Sequence, residues 1–287
     1  MKSKNYIFQF ETHPKKKGTC PSCEELKVFR YYEFTATGER LPEQFGKCER
    51  LNSCGHFEKP QIKDLKTPDI TMAIIEPKRP EPIKFIDADF FNSTLKHKSN
   101  DFIQWLKNKY KEKADQAMLN YPIGTTERNE TIFWYCDEKQ RIRTGKIIKY
   151  TNGKRGKWAT NVHSRMNLTG YYKFCLFGEH LIPEYSKETI ICLAEGEKAC
   201  IAGFILFPQY LWLSPGGANL LSQEKAEVIR GRKVLVIPDA DEAGRKGAEK
   251  WKKILHDLNC NVQIVDLFEG YEDENDMADI VIKNRSC

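Results

Sequence analysis

Across 287 residues the sequence has no run of 18 apolar residues and no charged-then-apolar leader. A membrane-spanning helix and a secretory signal are therefore not expected, and a cytoplasmic location is. No G-x-x-x-x-G-K-[ST] stretch occurs, which excludes a P-loop nucleotide site. The ten cysteines do not have the spread of a disulfide scaffold. Four of them cluster at Cys20, Cys23, Cys48 and Cys54. Cys136, Cys175, Cys192 and Cys200 stand singly in apolar surroundings, where a thiol behaves as a small hydrophobe. A further absence is local: from Lys139 to Lys173 there is no Asp or Glu, against ten Lys or Arg.

In a reducing compartment, clustered cysteines point to metal. The C-P-S-C pair and the later Cys48 and Cys54 flank alternating strand signals at Val28, Phe29, Tyr31, Tyr32 and Phe34, with a turn at Thr37-Gly38. This is the layout of a zinc ribbon, in which the ion replaces a core too small to form alone. Gly18, Pro21, Gly46 and Gly55 supply tight turns. The second pair is spaced C-x5-C, so His56 is an alternative to Cys54 as fourth ligand; His13 reads as a surface residue. Residues 1–60 are expected to form this ribbon. Five prolines, from Pro60 to Pro82, mark residues 61–84 as a stiff linker.

Residues 85–186 read as a basic α+β subdomain. Ser99 or Asn100 caps a helix whose apolar face is Phe102, Ile103, Leu106 and Tyr110. Strands follow, with hairpin turns at 137–140 and Asn152-Gly153. Trp158, Tyr150, Tyr171 and Tyr172 are interleaved with the acid-free basic run. Cations for phosphates and ring faces for bases are what a single-stranded nucleic-acid track requires. The competing reading is a solvated basic face with aromatics in the core behind it. Alternation puts Arg141 and Arg143 on one face and Lys146 on the other.

From residue 187 strands alternate with helices, which implies a parallel sheet with right-handed crossovers. Strands are expected at 189–194, 210–213, 234–237 and 262–267, and a helix at 223–230. The stretch VLVIPDADEAGRKGAEKW is a core strand, a carboxylate turn at Asp239-Ala240-Asp241 and a helix. Two aspartates at the exit of a buried strand are costly unless a cation neutralises them, and a hard divalent ion does so. Glu195 ends its own strand in the same way, so folding can bring all three carboxylates to one sheet edge, where open α/β folds bind ligands. Ser214-Pro215-Gly216-Gly217 reads as a turn at a strand exit. Glu197 and Glu242 read as solvated charges or helix caps. Asp276 and Asp279 read the same way, with a lesser claim to line the metal site.

Glu195-Gly196 after one strand and Asp239-x-Asp241 after another, 44 residues later, resemble the TOPRIM domain of bacterial primases, topoisomerases and several nucleases. AEGEKAC, SPGGANL, PDADEAGRKGAEKW and ENDMADIV look most like the TOPRIM primases of phages, plasmids and other mobile elements, and the ribbon sequence together with FWYCDEKQRIRTGKIIKY through CLFGEHLI is similar to a group of mobile-element proteins from Bacteroidetes. The resemblance covers residues 187–281. In looser form, as ribbon, basic subdomain and TOPRIM in that order, it extends over most of the chain. It implies a Rossmann-like α/β fold at 187–287. It also implies primer synthesis from NTPs on single-stranded DNA, with Asp239 and Asp241 holding Mg²⁺ (or Mn²⁺) and Glu195 as metal ligand or general acid/base. Arg141, Arg143, Lys146 and Lys149 are candidates for template or nucleotide contacts, and Lys198, Arg245 and Lys246 for phosphates.

Two departures stand out. Relatives carry an aspartate where this chain has Ala199, and the ribbon lacks the histidine of the familiar bacterial primase zinc motif. A replicative helicase is expected to be a separate protein. A TOPRIM nuclease uses the same carboxylates and is the alternative activity; a non-catalytic nucleic-acid-binding protein is the alternative without chemistry. A topoisomerase is not expected, because the chain has no room for a gate-forming tyrosine domain.

Overall fold

The aromatic alternation near the N-terminus folds as expected into strands. In the computed structural model β1 (Phe8–Phe10), β2 (Phe29–Phe34), β3 (Gly46–Cys48) and β4 (Phe57–Glu58) form an antiparallel sheet in sequence order. Side chains alternate across it. Phe29 and Tyr31 pack with Cys20 and Cys48 on one side, while Tyr32 packs with Leu41 and Phe45 on the other. The structure describes residues 7–11, 17–35, 37–50, 54–61, 81–96 and 99–267. His13, most of the proline-rich linker, and Asp276 and Asp279 lie outside them. The chain divides into two compact units, residues 1–80 and 81–287.

The second unit opens with three helices, α1 (Ala88–Lys96), α2 (Asp101–Tyr110) and α3 (Glu112–Asn120). Asn100 caps α2: its Oδ1 accepts from the Ile103 N–H at 3.0 Å, and its Nδ2 donates to Thr125 Oγ1 at 2.9 Å. One fully buried side chain thus starts the helix and ties it to the neighbouring sheet. Phe102, Ile103 and Leu106 are buried, as the helical spacing requires.

The mixed region is an antiparallel sheet of β5 (Ile123–Thr125), β6 (Thr131–Cys136), β7 (Ile142–Thr151) and β8 (Lys154–Asn161), with β8 at an edge. All six residues of β6 are buried because the sheet is covered on both faces. Phe133 and Tyr135 join the main core, whereas Ile132 and Trp134 join a smaller core with Ile86, Ile147 and Val162. The β7–β8 turn is Asn152-Gly153, with φ of 49° and 75°. These left-handed values are those of a two-residue hairpin turn, in which Asn and Gly cost least.

After the short helix α4 (Val162–Arg165) and a 3₁₀ turn at Glu179–Glu184, β9 (Ile191–Ala194) leads into α5 (Glu197–Leu206). Then come β10 (Leu211–Leu213), α6 (Gln223–Ala226), β11 (Lys233–Ile237), α7 (Glu242–Asp257) and β12 (Asn261–Ile264). The four strands are parallel, in the order β10-β9-β11-β12. The helix expected over 223–230 is only α6 followed by a 3₁₀ turn at Glu227–Ile229. α7 is amphipathic and buries Gly244, Gly247, Ala248, Trp251 and Leu255 at helical spacing. A single core runs through both sheets of this unit, joining Phe102, Tyr121, Phe133 and Ile148 to Leu193, Trp212 and Val236. Across it, Tyr121 Oη donates to the Trp212 carbonyl at 2.9 Å, and Phe177 and Ser214 exchange backbone hydrogen bonds of 2.8 and 3.1 Å. Among the described residues no helix is long and apolar enough to cross a membrane.

Candidate functional site

Strand order determines where ligands can approach. The chain leaves β9 for β10 on one side and returns to β11 on the other, so a topological switch point lies between β9 and β11. Their register pairs Ala194 with Ile237, at the last residue of each strand. Glu195 follows directly and Asp239 lies two residues past Ile237, so both leave the same edge at adjacent strands.

Glu195 is half-buried. Burial raises its carboxyl above the usual range; the Ala218 backbone N–H opposes this, the charge of Asp241 adds to it, and Arg155 and Lys146 oppose it. Asp241 is exposed and caps α7, its Oδ1 accepting from the Gly244 N–H at 2.6 Å. Gly244 is needed there, since a Cβ would lie 2.7 Å from the Asp239 carbonyl oxygen. The helix start is thereby pressed onto the Asp239 backbone, and the helix N-terminus favours the negative charge beside it. Ser214 Oγ donates to the Glu195 carbonyl at 2.7 Å and accepts from the Gly216 N–H at 3.0 Å, locking the 214–217 turn to the end of β9.

Glu197, which reads from sequence as a solvated charge or cap, is 3% exposed. Lys146 Nζ meets its two oxygens at 3.0 and 3.1 Å and donates to the Gly216 carbonyl at 2.8 Å. Tyr135 Oη donates to the same carboxylate. Burial, with the Glu197 charge added, pushes the Tyr135 phenol well above its ordinary value. Gly216, at φ 89°, sits where a Cβ would come within 2.6 Å of the Tyr135 hydroxyl. Lys225 Nζ donates to the neighbouring Pro215 carbonyl at 3.1 Å, and burial lowers its ammonium. Sequence reasoning passed over Tyr135 and Lys225 and took Glu197 as solvated, because Glu197 meets Lys146 and Tyr135 across 51 and 62 residues; a buried-strand tyrosine is the single cue.

The seven cations singled out by sequence do not share one surface. Arg141 pairs with Asp137 at 2.8 Å, and Arg143 lies 3.8 Å from the same carboxylate. Cys136 pairs with Ile142 but Tyr135 with Thr144, so a bulge at Arg143 breaks the simple alternation. Lys146 is engaged with Glu197. Lys198 stands 5.0 Å over the Trp105 ring, Arg245 lies 3.8 Å from Asp266, and Lys246 pairs with Glu242 at 2.5 Å. Lys149 is exposed on the opposite face of the sheet from Lys146.

In the ribbon, the sulfurs of Cys20, Cys23, Cys48 and Cys54 all lie within 4.8 Å of one another, with Cys20–Cys54 at 3.7 Å and Cys23–Cys48 at 4.0 Å. Tetrahedral Zn–S bonds of about 2.3 Å put sulfurs roughly 3.8 Å apart, so the set fits zinc. Cys54, not His56, supplies the fourth atom of the converging set. The His56 backbone N–H holds its thiol down at about 7, while burial pushes Cys48 up to about 12. The His56 ring packs at 5.6 Å against Phe29 instead. Among the described residues this is the one set of three or more such side chains that converges so closely; Glu195, Asp239 and Asp241 face one edge without closing into a cage.

A domain family of unknown function, DUF6371, matches residues 100–240, and a zinc beta-ribbon finger family matches residues 5–68. A structure of the DnaG primase catalytic domain bound to ssDNA aligns with 69% of this chain and 73% of its own, at TM-score 0.50 and 11% identity. The chain shares the fold of that catalytic domain. The Aquifex aeolicus primase (zinc-binding and RNA polymerase domains) aligns at 16% identity and TM-score 0.46 over 66% of this chain, which spans 54% of that protein's length. The primase fragment of the bacteriophage T7 primase-helicase protein aligns over 90% of this chain and 91% of its own, at 15% identity and TM-score 0.39. No curated protein matches the sequence.

Proposed function

We propose that the chain is a zinc-ribbon, TOPRIM-type primase that makes short oligonucleotides from NTPs on single-stranded DNA, serving replication of a mobile element in the cytoplasm. The observation that carries the reading is the exit of Glu195 and Asp239-x-Asp241 from adjacent strands at the switch point of a parallel sheet. The shared fold of the DnaG catalytic domain supports it.

The three carboxylates suit a hard divalent cation. The charge of Asp241 acts on Glu195, and like charges that interact favour a bound cation. Glu195, Asp239 and Asp241 would hold Mg²⁺, which supplies charge neutralisation for the triphosphate and for the oxygens that attack and leave. In the reaction the growing chain's 3′-oxygen bonds to the α-phosphorus of an incoming NTP, and the bond to pyrophosphate breaks. Asp241 does its part from a fixed position, since Gly244 holds one of its oxygens and leaves the other for a ligand. Lys146 anchors the Gly216 carbonyl, so the 214–217 turn keeps one conformation beside Glu195. Arg155 and Lys146 add positive potential at Glu195.

One observation favours a second reading, a nucleic-acid-binding protein without chemistry: the carboxylates do not converge as the thiols do. The test is incubation of the purified chain with a single-stranded template, labelled NTPs and Mg²⁺. Labelled oligonucleotides from wild type but not from Asp239→Ala support the primase. Strand degradation without NTPs supports a nuclease. Neither product, with DNA binding intact, supports the second reading.

A further inference from the structure

The two faces of the mixed sheet treat their cations differently. Ile148 and Tyr150 of β7 belong to the main core, and on that side Lys146 is bound by Glu197. Ile147 points the other way, into the smaller core, and floors a cavity of about 320 Å³ lined by Lys149, Thr151, Lys157, Trp158, Thr160 and Arg165. Lys149 and Lys157 are exposed and have no ion pair with any described residue. The one carboxylate in the lining, Glu130, is taken by the Arg165 guanidinium through bonds of 3.0 and 3.3 Å.

The register of β8 explains how Trp158 comes to stand out. Ile148 pairs with Ala159 and Tyr150 with Arg155, so Gly156, Lys157 and Trp158 together oppose Lys149. A bulge of this kind turns side chains out of the sheet. Trp158 is 86% exposed, whereas Trp134, Trp212 and Trp251 are buried and Trp105 is half-buried. An indole held in water beside two uncompensated ammonium groups offers a ring face for a base and cations for the flanking phosphates. Lysines on an edge strand also deter edge-to-edge pairing. That role gives no reason for an exposed tryptophan in a bulge.

We infer that Trp158, Lys149 and Lys157 form a docking surface for single-stranded nucleic acid on the sheet face opposite Glu195, with one base stacked on the indole. The inference extends the template-binding part of the proposed function, and it is tested without chemistry. The full chain, with zinc retained and without Mg²⁺ or NTPs, is titrated with a fluorescein-labelled oligo(dT). Binding is followed by anisotropy and by quenching of tryptophan emission. The expected result is quenching on binding, a roughly 10- to 100-fold weaker Kd for Trp158→Ala, and substantial recovery in Trp158→Phe. Lys149→Ala and Lys157→Ala are each expected to lower the slope of log K against log salt by about 0.7. Trp158→Ala binding as tightly as wild type, or quenching that survives in Trp158→Phe, overturns the inference, as does equal affinity for duplex DNA. Primer synthesis assayed on the wild-type chain separates the two ideas: Trp158-dependent binding without primer synthesis leaves this surface standing and removes the primase.

Discussion

In the ribbon four thiol sulfurs converge to within 4.8 Å from two turns and a strand end, and the sheet packs Phe29 and Tyr31 against them. At the edge of the parallel sheet three carboxylates leave adjacent strand ends, Glu195 and Asp239 half-buried and Asp241 exposed, without closing into a cage. The ribbon buries only two small clusters, of four and three side chains on opposite sides of its sheet, too few to hold a fold by themselves. The parallel sheet, by contrast, sits in a core that runs through the whole second unit. The difference separates two arrangements: a closed thiol set suited to stabilise its fold through an ion, and an open carboxylate edge on a fold that needs no such support.

The largest effect expected from this contrast comes from removing zinc. Structural zinc contributes on the order of 10 kcal/mol to small domains of this kind. Chelation or Cys48→Ser is expected to unfold residues 7–61, seen as rapid proteolysis there, while the melting of 81–287 is unchanged. Loss of both units together would break the comparison.

Next in size is the Lys146–Glu197 pair. Lys146→Met leaves a buried carboxylate that, among the described residues, keeps the Tyr135 hydroxyl as its remaining side-chain hydrogen bond, and breaking such a pair costs about 3–5 kcal/mol. Urea unfolding is expected to show that loss, and the double variant Lys146→Met/Glu197→Leu to recover much of it. If Lys146→Met unfolds at the wild-type urea concentration, the pair is not holding the 214–217 turn.

The cysteine set and the Lys146–Glu197 pair differ in how far the sequence reveals them. The cysteine set, the Asn100 cap, the Asn152-Gly153 turn and the carboxylates at two strand ends are local patterns, and local patterns can be read directly. Tyr135, Lys146 and Glu197 meet across separations of 51 and 62 residues, and no local rule pairs them. The bulge at Arg143 defeats alternation, because one extra residue moves every later side chain to the other face. The basic run was legible as composition. Its division into an inner set bound by acids and an outer set around Trp158 required the fold.

A smaller effect concerns pH. Glu179 is buried, and burial pushes its carboxyl from 4.5 up to about 7, with the Leu176 N–H and Arg143 opposing. Between those values the unfolded chain has released the proton that the folded chain keeps, so stability falls as pH rises from about 4.5 to 7. The loss amounts to about 3 kcal/mol. Glu179→Gln is expected to flatten that slope in unfolding experiments between pH 5 and 8; an unchanged slope would assign the linkage to another group. Smallest is the helix cap. Asp241→Ala is expected to cost about 1 kcal/mol through loss of the bond to Gly244, and Asp241→Asn only a few tenths. Both are expected to lose metal binding alike, which separates the cap from the ligand.

Glu195, Asp239 and Asp241 are proposed to act as one divalent-cation site, and anomalous diffraction from Mn²⁺-soaked crystals tests that directly. The predicted result is a peak at the C-terminal edge of β9 and β11, about 2.2 Å from oxygens of at least two of these carboxylates. Ordered carboxylates at that edge in saturating Mn²⁺, with no peak between them, would contradict it.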